Sequence, residues 1–76
     1  MDQTDRFLRY SLDRDRPIRL ILQEEDGRLR QVSAVVEARD GGTVQLYIIR
    51  PPRRVTLPEA NILAASYAPK DEGLDA

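Results

Sequence analysis

The sequence predicts a mainly β domain, in which a short N-terminal helix is followed by a four- to five-stranded antiparallel meander curled on itself. Three observations carry that reading. Apolar residues recur at helical spacing only before Pro17, they alternate with polar ones from Ile18 onward, and the alternating stretches are parted by short clusters of glycine, aspartate and proline. A chain of 76 residues has room for one core, taken to span residues 1–69 with 70–76 as an acidic, frayed tail. Folding at this size buries only about 60% of the surface the unfolded chain exposes, so self-association is an expected source of added stability.

The helix, over about 3–13, rests on Phe7, Leu8, Ser11 and Leu12, which share one stripe while Asp5, Arg6, Arg9 and Asp13 lie elsewhere. Thr4 or Asp2 is the expected cap, and Pro17 bars continuation because its ring clashes with the preceding helical turn. From Ile18 the period is two. Ile18, Leu20 and Leu22 share a face, as do Val32, Ala34, Val36 and Ala38, then Val44, Leu46 and Ile48, then Val55 and Leu57. The corresponding strands cover about 16–24, 28–39, 43–50 and 54–57.

Paired residues point the same way, so a one-residue slip would send a whole apolar set into water. That criterion selects a three-residue loop 25–27, which sets Leu20 against Val32 and Ile18 against Ala34 and places Gly27 where a type I turn with a G1 bulge needs positive φ. Applied to the next hairpin it gives loop 40–42 with Gly42 third, and Ala38 opposite Val44, Val36 opposite Leu46 and Ala34 opposite Ile48. A four-residue loop 51–54 then keeps both prolines out of the ladder and sets Ile48 against Leu57 and Arg50 against Val55. Pro58 to Asn61 fits one tight helical turn, and Ile62 to Tyr67 a fifth strand returning toward the first. A helix over Glu59 to Ser66 competes, on the strength of alanines at 60, 64 and 65.

A helix followed by such a tightly turned meander resembles the small SH3-like or Sm-like barrels of bacterial proteins. More narrowly, residues 15–67 resemble a shortened WYL-type domain. The shared features are Ile18-Arg19-Leu20 entering the first strand, Asp26-Gly27 in the first turn, Gly41-Gly42 ahead of an apolar strand, and Arg54-Val55-Thr56-Leu57 followed by Ile62. Val44-Gln45-Leu46 stands where the name-giving Trp-Tyr-Leu of that family would fall. The resemblance implies a sheet curled into a barrel, and a part in sensing a ligand or nucleic acid as WYL domains have in bacterial transcription regulators.

Catalytic groups are scarce. With no histidine and no cysteine the chain lacks disulfides, thiolate chemistry and the usual zinc ligands. The serines at 11, 33 and 66 have no histidine base, and the one lysine is Lys70. An enzyme, a cofactor site and a metal site are therefore not expected. Glu24-Glu25-Asp26 reads as a solvated hairpin tip, and Gly41-Gly42 joins two strands instead of opening a helix as a phosphate loop does. No apolar run approaches the roughly 20 residues of a membrane span and the first residues are charged, so a cytoplasmic location with no membrane partner is expected.

The 12 basic and 13 acidic residues nearly cancel, but residues 27–58 hold six bases against two acids. Arginine makes up 11 of the 12 bases, which favours bidentate contact with carboxylate or phosphate. The register places Arg28, Arg30, Arg50, Arg53 and Arg54 at one end of the sheet, a candidate site for an anionic ligand or a nucleic-acid backbone, although no aromatic stands among them to stack a base. The face opposite the strand core is apolar as well. Ile21, Val35, Tyr47 and Ile49 point that way, with Val35 across from Tyr47, and either Phe7, Leu8 and Leu12 of the helix or another molecule should cover them. The expected function is a non-enzymatic interaction or assembly module acting through that protein surface, with a second copy in a homodimer or another protein as partner. The alternative is a WYL-like or Sm-like domain that takes an anionic ligand or nucleic acid at its arginine end.

Overall fold

The change of period at Pro17 is also where the backbone changes. In the computed structural model, which describes residues 3–68, helix α1 spans Gln3–Arg14 and strand β1 spans Ile18–Gln23. Between them Asp15 adopts a φ of 56°, a left-handed residue that closes the helix before the proline. Strands β2 (Leu29–Asp40), β3 (Thr43–Ile48) and β4 (Arg53–Pro58) follow, then a 3-10 turn over Glu59–Asn61 and strand β5 (Ile62–Tyr67), so the last segment is a strand and not the competing helix. Thr4 lies inside α1 and not at its cap, while Asp2 and the 70–76 tail lie outside the described residues.

The five strands form one antiparallel sheet in the order β4-β3-β2-β1-β5. Among the described residues no ladder joins β4 to β5, so the sheet is not closed into the expected barrel. The 3-10 turn carries the chain from one edge of the sheet to the other, where β5 pairs with β1 from Leu22↔Ile62 to Ile18↔Tyr67.

The first hairpin has the expected register, with Ile18 opposite Ala34 and Leu20 opposite Val32. Its loop is closed by the Glu24 N–H donating to the Arg28 carbonyl at 2.8 Å, with Gly27 at φ 87°. The second hairpin differs from expectation. Gly41 and Gly42, with φ of 58° and 89°, form a two-residue turn of the primed kind that suits strand twist, and Asp40 pairs with Thr43. Ala34 and Val36 still face Ile48 and Leu46, but Ala38 faces Gln45 and not Val44, because Glu37 is the extra residue of a β-bulge. The third hairpin is shifted by four residues. Ile48 pairs with Arg53, Leu46 with Val55 and Val44 with Leu57, so the turn is 49–52 and the expected Ile48–Leu57 and Arg50–Val55 pairs do not form. Ile49 leaves the β4 ladder, and its N–H donates instead to the Ser33 carbonyl at 3.0 Å.

One face of the sheet carries the core: Ile18, Leu20, Leu22, Val32, Ala34, Val36, Val44, Leu46, Ile48 and Ile62 are all buried. Helix α1 packs on this same face. Leu8 is 1% exposed within that cluster, and Phe7, Tyr10 and Leu12 pack against it. Of the two covers expected for Ile21, Val35, Tyr47 and Ile49, the helix through Phe7, Leu8 and Leu12 is thereby ruled out. The reason is a polar contact at Ser11. Strand β1 ends its pairing with β2 at Ala34, so the Val36 N–H beyond would be left without a partner in the core. Ser11, fully buried, accepts that N–H at 2.8 Å and donates its own hydroxyl to the Arg16 carbonyl at 2.6 Å. Tyr67 fixes the other flank of the helix, with Phe7 and Tyr10 edge-on to its ring at 4.8 and 5.0 Å.

Candidate functional site

Alternation sends every second strand residue to the face that α1 does not occupy. Across the centre of that face the register aligns Val35 on β2, Tyr47 on β3 and Arg54 on β4. Ile49 continues the line of β3 beside Ser33, held there by its N–H. Val35, Tyr47 and Ile49 are therefore neighbours. Ile21 is not among them: it pairs with Gln31 and Ala64, and the polar row Arg19–Ser33 lies between it and Val35. The structure brings together three of the four expected contact residues and sets the fourth beside Ala64 and the exposed Leu63. All four are half-buried.

Charged side chains frame the three. The Arg54 guanidinium lies 5.4 Å from the centre of the Tyr47 ring, within range of a cation–π contact. Glu37 steers it there, accepting from Arg54 Nε at 2.8 Å, and the same carboxylate accepts from Gln45 Nε2 at 3.3 Å. The Glu37 hydrogen bond, with its charge, pushes the Arg54 pKa above its ordinary value, so the guanidinium stays charged. Glu37 reaches this position because it is the bulged residue of β2.

The five arginines do not converge on one point. Arg30 and Arg53 line a common cleft on the core side of the sheet, whereas Arg54 points to the outer face and Arg50 sits exposed in the β3–β4 turn. The four-residue shift of that hairpin is the cause, since it sets Arg53 opposite Ile48 and Arg54 opposite Tyr47. Three of the five have carboxylate partners: Arg28 with Asp26 at 3.4 Å, Arg30 with Glu24 at 3.3 Å, and Arg54 with Glu37. Arg50 and Arg53 have none among the described residues. With Glu25 also present at the hairpin tip, the local field is mixed in sign, unlike the positive groove that tracks a phosphate backbone.

A further cluster was not legible in the alternation. After the bulge at Glu37 the strand parity changes, and Arg39 comes opposite Val44, turned toward the core side. There its Nε donates to Glu59 at 2.8 Å and its Nη2 to Asp5 at 2.8 Å, tying β2, the 3-10 turn and α1 together. The Arg39 hydrogen bonds hold both carboxyls below their ordinary values of 3.8 for Asp5 and 4.5 for Glu59. This clasp and Ser11 together commit the helix to the inner face, which leaves the outer one without a covering element among the described residues. The signal that could have revealed it is Gly41-Gly42: a two-residue turn there forces either a bulge or an inverted strand.

Among the described residues no group of three or more carboxylates is placed to hold a metal ion, and no helix is long and apolar enough to cross a membrane. No family model, curated protein or solved structure matches the chain.

Proposed function

We propose that this chain is a non-enzymatic interaction module that assembles through the outer face of its sheet, with Val35, Tyr47 and Ile49 as the contact and a second copy of the chain as the partner. One observation carries the reading: the helix places Leu8 and Ser11 on the inner face, so three adjacent apolar residues on the outer face have no covering element among the described residues. The flanking charges suit a second copy. In a two-fold contact each subunit brings one Glu37 and one Arg54 to the rim, so each acid can face the other subunit's base. Burying the remaining exposed area of these side chains contributes at about 25 cal/mol per Å², a useful increment in so small a domain. The likeness to SH3-like and Sm-like domains draws support from the return of β5 to β1 through a single 3-10 turn. Binding of an anionic ligand or nucleic acid at Arg28, Arg30, Arg50, Arg53 and Arg54 has less behind it, given the carboxylates already paired there.

Sedimentation equilibrium at tens of micromolar tests the proposal. The expected result is twice the chain mass of 8.7 kDa, unchanged when salt is raised to moderate concentration, whereas phosphate contacts would weaken steeply. Tyr47→Ser should return the monomer mass. A monomeric wild-type protein contradicts the assembly, and a Tyr47→Ser protein that remains dimeric removes this patch as its cause.

A further inference from the structure

Strand β4 borders an open cleft of about 700 Å³ on the core side of the sheet. The floor is apolar, formed by core residues such as Val32 and Ile48. One wall is β4 itself, an edge strand whose main-chain groups on the side away from β3 have no ladder partner among the described residues. Such an edge is a template for another extended chain, which gains main-chain hydrogen bonds while alternate side chains enter the groove. The opposite wall is the tip of the first hairpin.

The two walls differ in charge. Glu25 on the hairpin tip and Arg53 at the start of β4 both line the cleft, and neither has a side-chain partner among the described residues. An occupant that satisfies both carries a basic and an acidic group. The chain's own edge strands cannot do this: β4 reads RRVTLP, with two bases and no acid, and β5 reads ILAASY, with no charge. Nor does the acidic wall suit a polyanion.

We propose that the cleft receives an extended segment of a partner protein, added beside β4 as a sixth strand, apolar at alternate positions, with a basic side chain toward Glu25 and an acidic one toward Arg53. This surface is separate from the outer face of Val35, Tyr47 and Ile49, and each can fail alone. The experiment is selection from a displayed pool of random decapeptides against the whole chain, followed by mapping of the selected peptides on amide spectra of the labelled protein. The expected peptides are apolar at alternate positions, carry one basic and one acidic residue, and move the amides of Val55, Thr56 and Leu57 while leaving Val35 and Tyr47 in place. Glu25→Lys combined with Arg53→Glu alters two exposed side chains, so the fold is kept; it should weaken the selected peptides roughly tenfold and favour peptides with the basic and acidic residues exchanged. The proposal is overturned by an absence of enriched peptides, by shifts at Val35 and Tyr47 instead, or by a charge preference that survives the double substitution. Shifts at β4 on concentrating the protein alone would make a second copy the occupant and equally overturn it.

Discussion

The two faces of the sheet draw on the same residue types and end in different states. On the inner face Ile18, Leu20, Val36 and Leu46 are at most 1% exposed, whereas on the outer face Ile21, Val35, Tyr47 and Ile49 stay half-buried. Hydrophobicity does not distinguish the two sets. The difference lies in where helix α1 docks, and polar atoms decide that. Ser11 supplies the partner that the Val36 N–H loses when β1 ends, and Arg39 ties Asp5 of the helix to the sheet and to Glu59. A buried N–H without a partner costs about 1–3 kcal/mol, so docking on the outer face would forfeit the contact.

The sharpest way to break this comparison is to truncate one side chain from each face. Leu8→Ala should cost about 2–5 kcal/mol in urea unfolding, through lost transfer energy and the cavity left among the core residues. Val35→Ala, measured in dilute solution where association is weak, should cost less than about 1 kcal/mol. Equal losses would mean that the outer face is covered. Next in size, Ser11→Ala should cost about 1–3 kcal/mol despite the better helix propensity of alanine, because it strands the buried Val36 N–H. Val36 amide exchange should accelerate with it. Unchanged exchange at Val36 would contradict the anchoring role.

The smallest effect belongs to the Arg39 clasp. Asp5 and Glu59 have folded-state pKa values held below 3.8 and 4.5 by Arg39, so their contribution is complete above those ordinary values and is lost as pH falls through the lowered ones. The melting midpoint should therefore drop on acidification below about pH 4.5, and less steeply in Arg39→Gln than in the wild type. A parallel acid response in the two proteins would remove the clasp as its source.

What could be read from the chain follows the same physics. The helix, the first four strands and the first register were legible from one change of period and the Gly27 turn, whereas the alanines at 60, 64 and 65 left the fifth strand in competition with a helix. The second hairpin departs from continuous alternation, which keeps Ala38 on the core side, because only the bulge at Glu37 reconciles the Gly41-Gly42 turn with Val44 facing inward. The third failed for another reason. A shift of four residues leaves every side chain on its original face, so alternation cannot separate the pairing of Ile48 with Leu57 from the observed pairing with Arg53. The shift also draws Arg53 and Arg54 out of the expected loop and into the ladder, where alternation sends them to opposite faces, so the expected convergence of the five arginines does not form. Choice of helix face depended on Ser11, a residue whose stripe position was evident but whose partner, 25 positions away, was not.

The most direct test of the central claim, that the outer face is left by its own helix for a second copy, is an isotope-filtered NOE experiment on a mixture of labelled and unlabelled chains. Intermolecular contacts are expected between the Val35 and Ile49 methyl groups and the Tyr47 ring, alongside intramolecular contacts from Leu8 to Val36 and Leu46. Intramolecular contacts from Val35 or Ile49 to Phe7, Leu8 or Leu12 would contradict it, since the helix would then cover the face on which the proposed assembly depends.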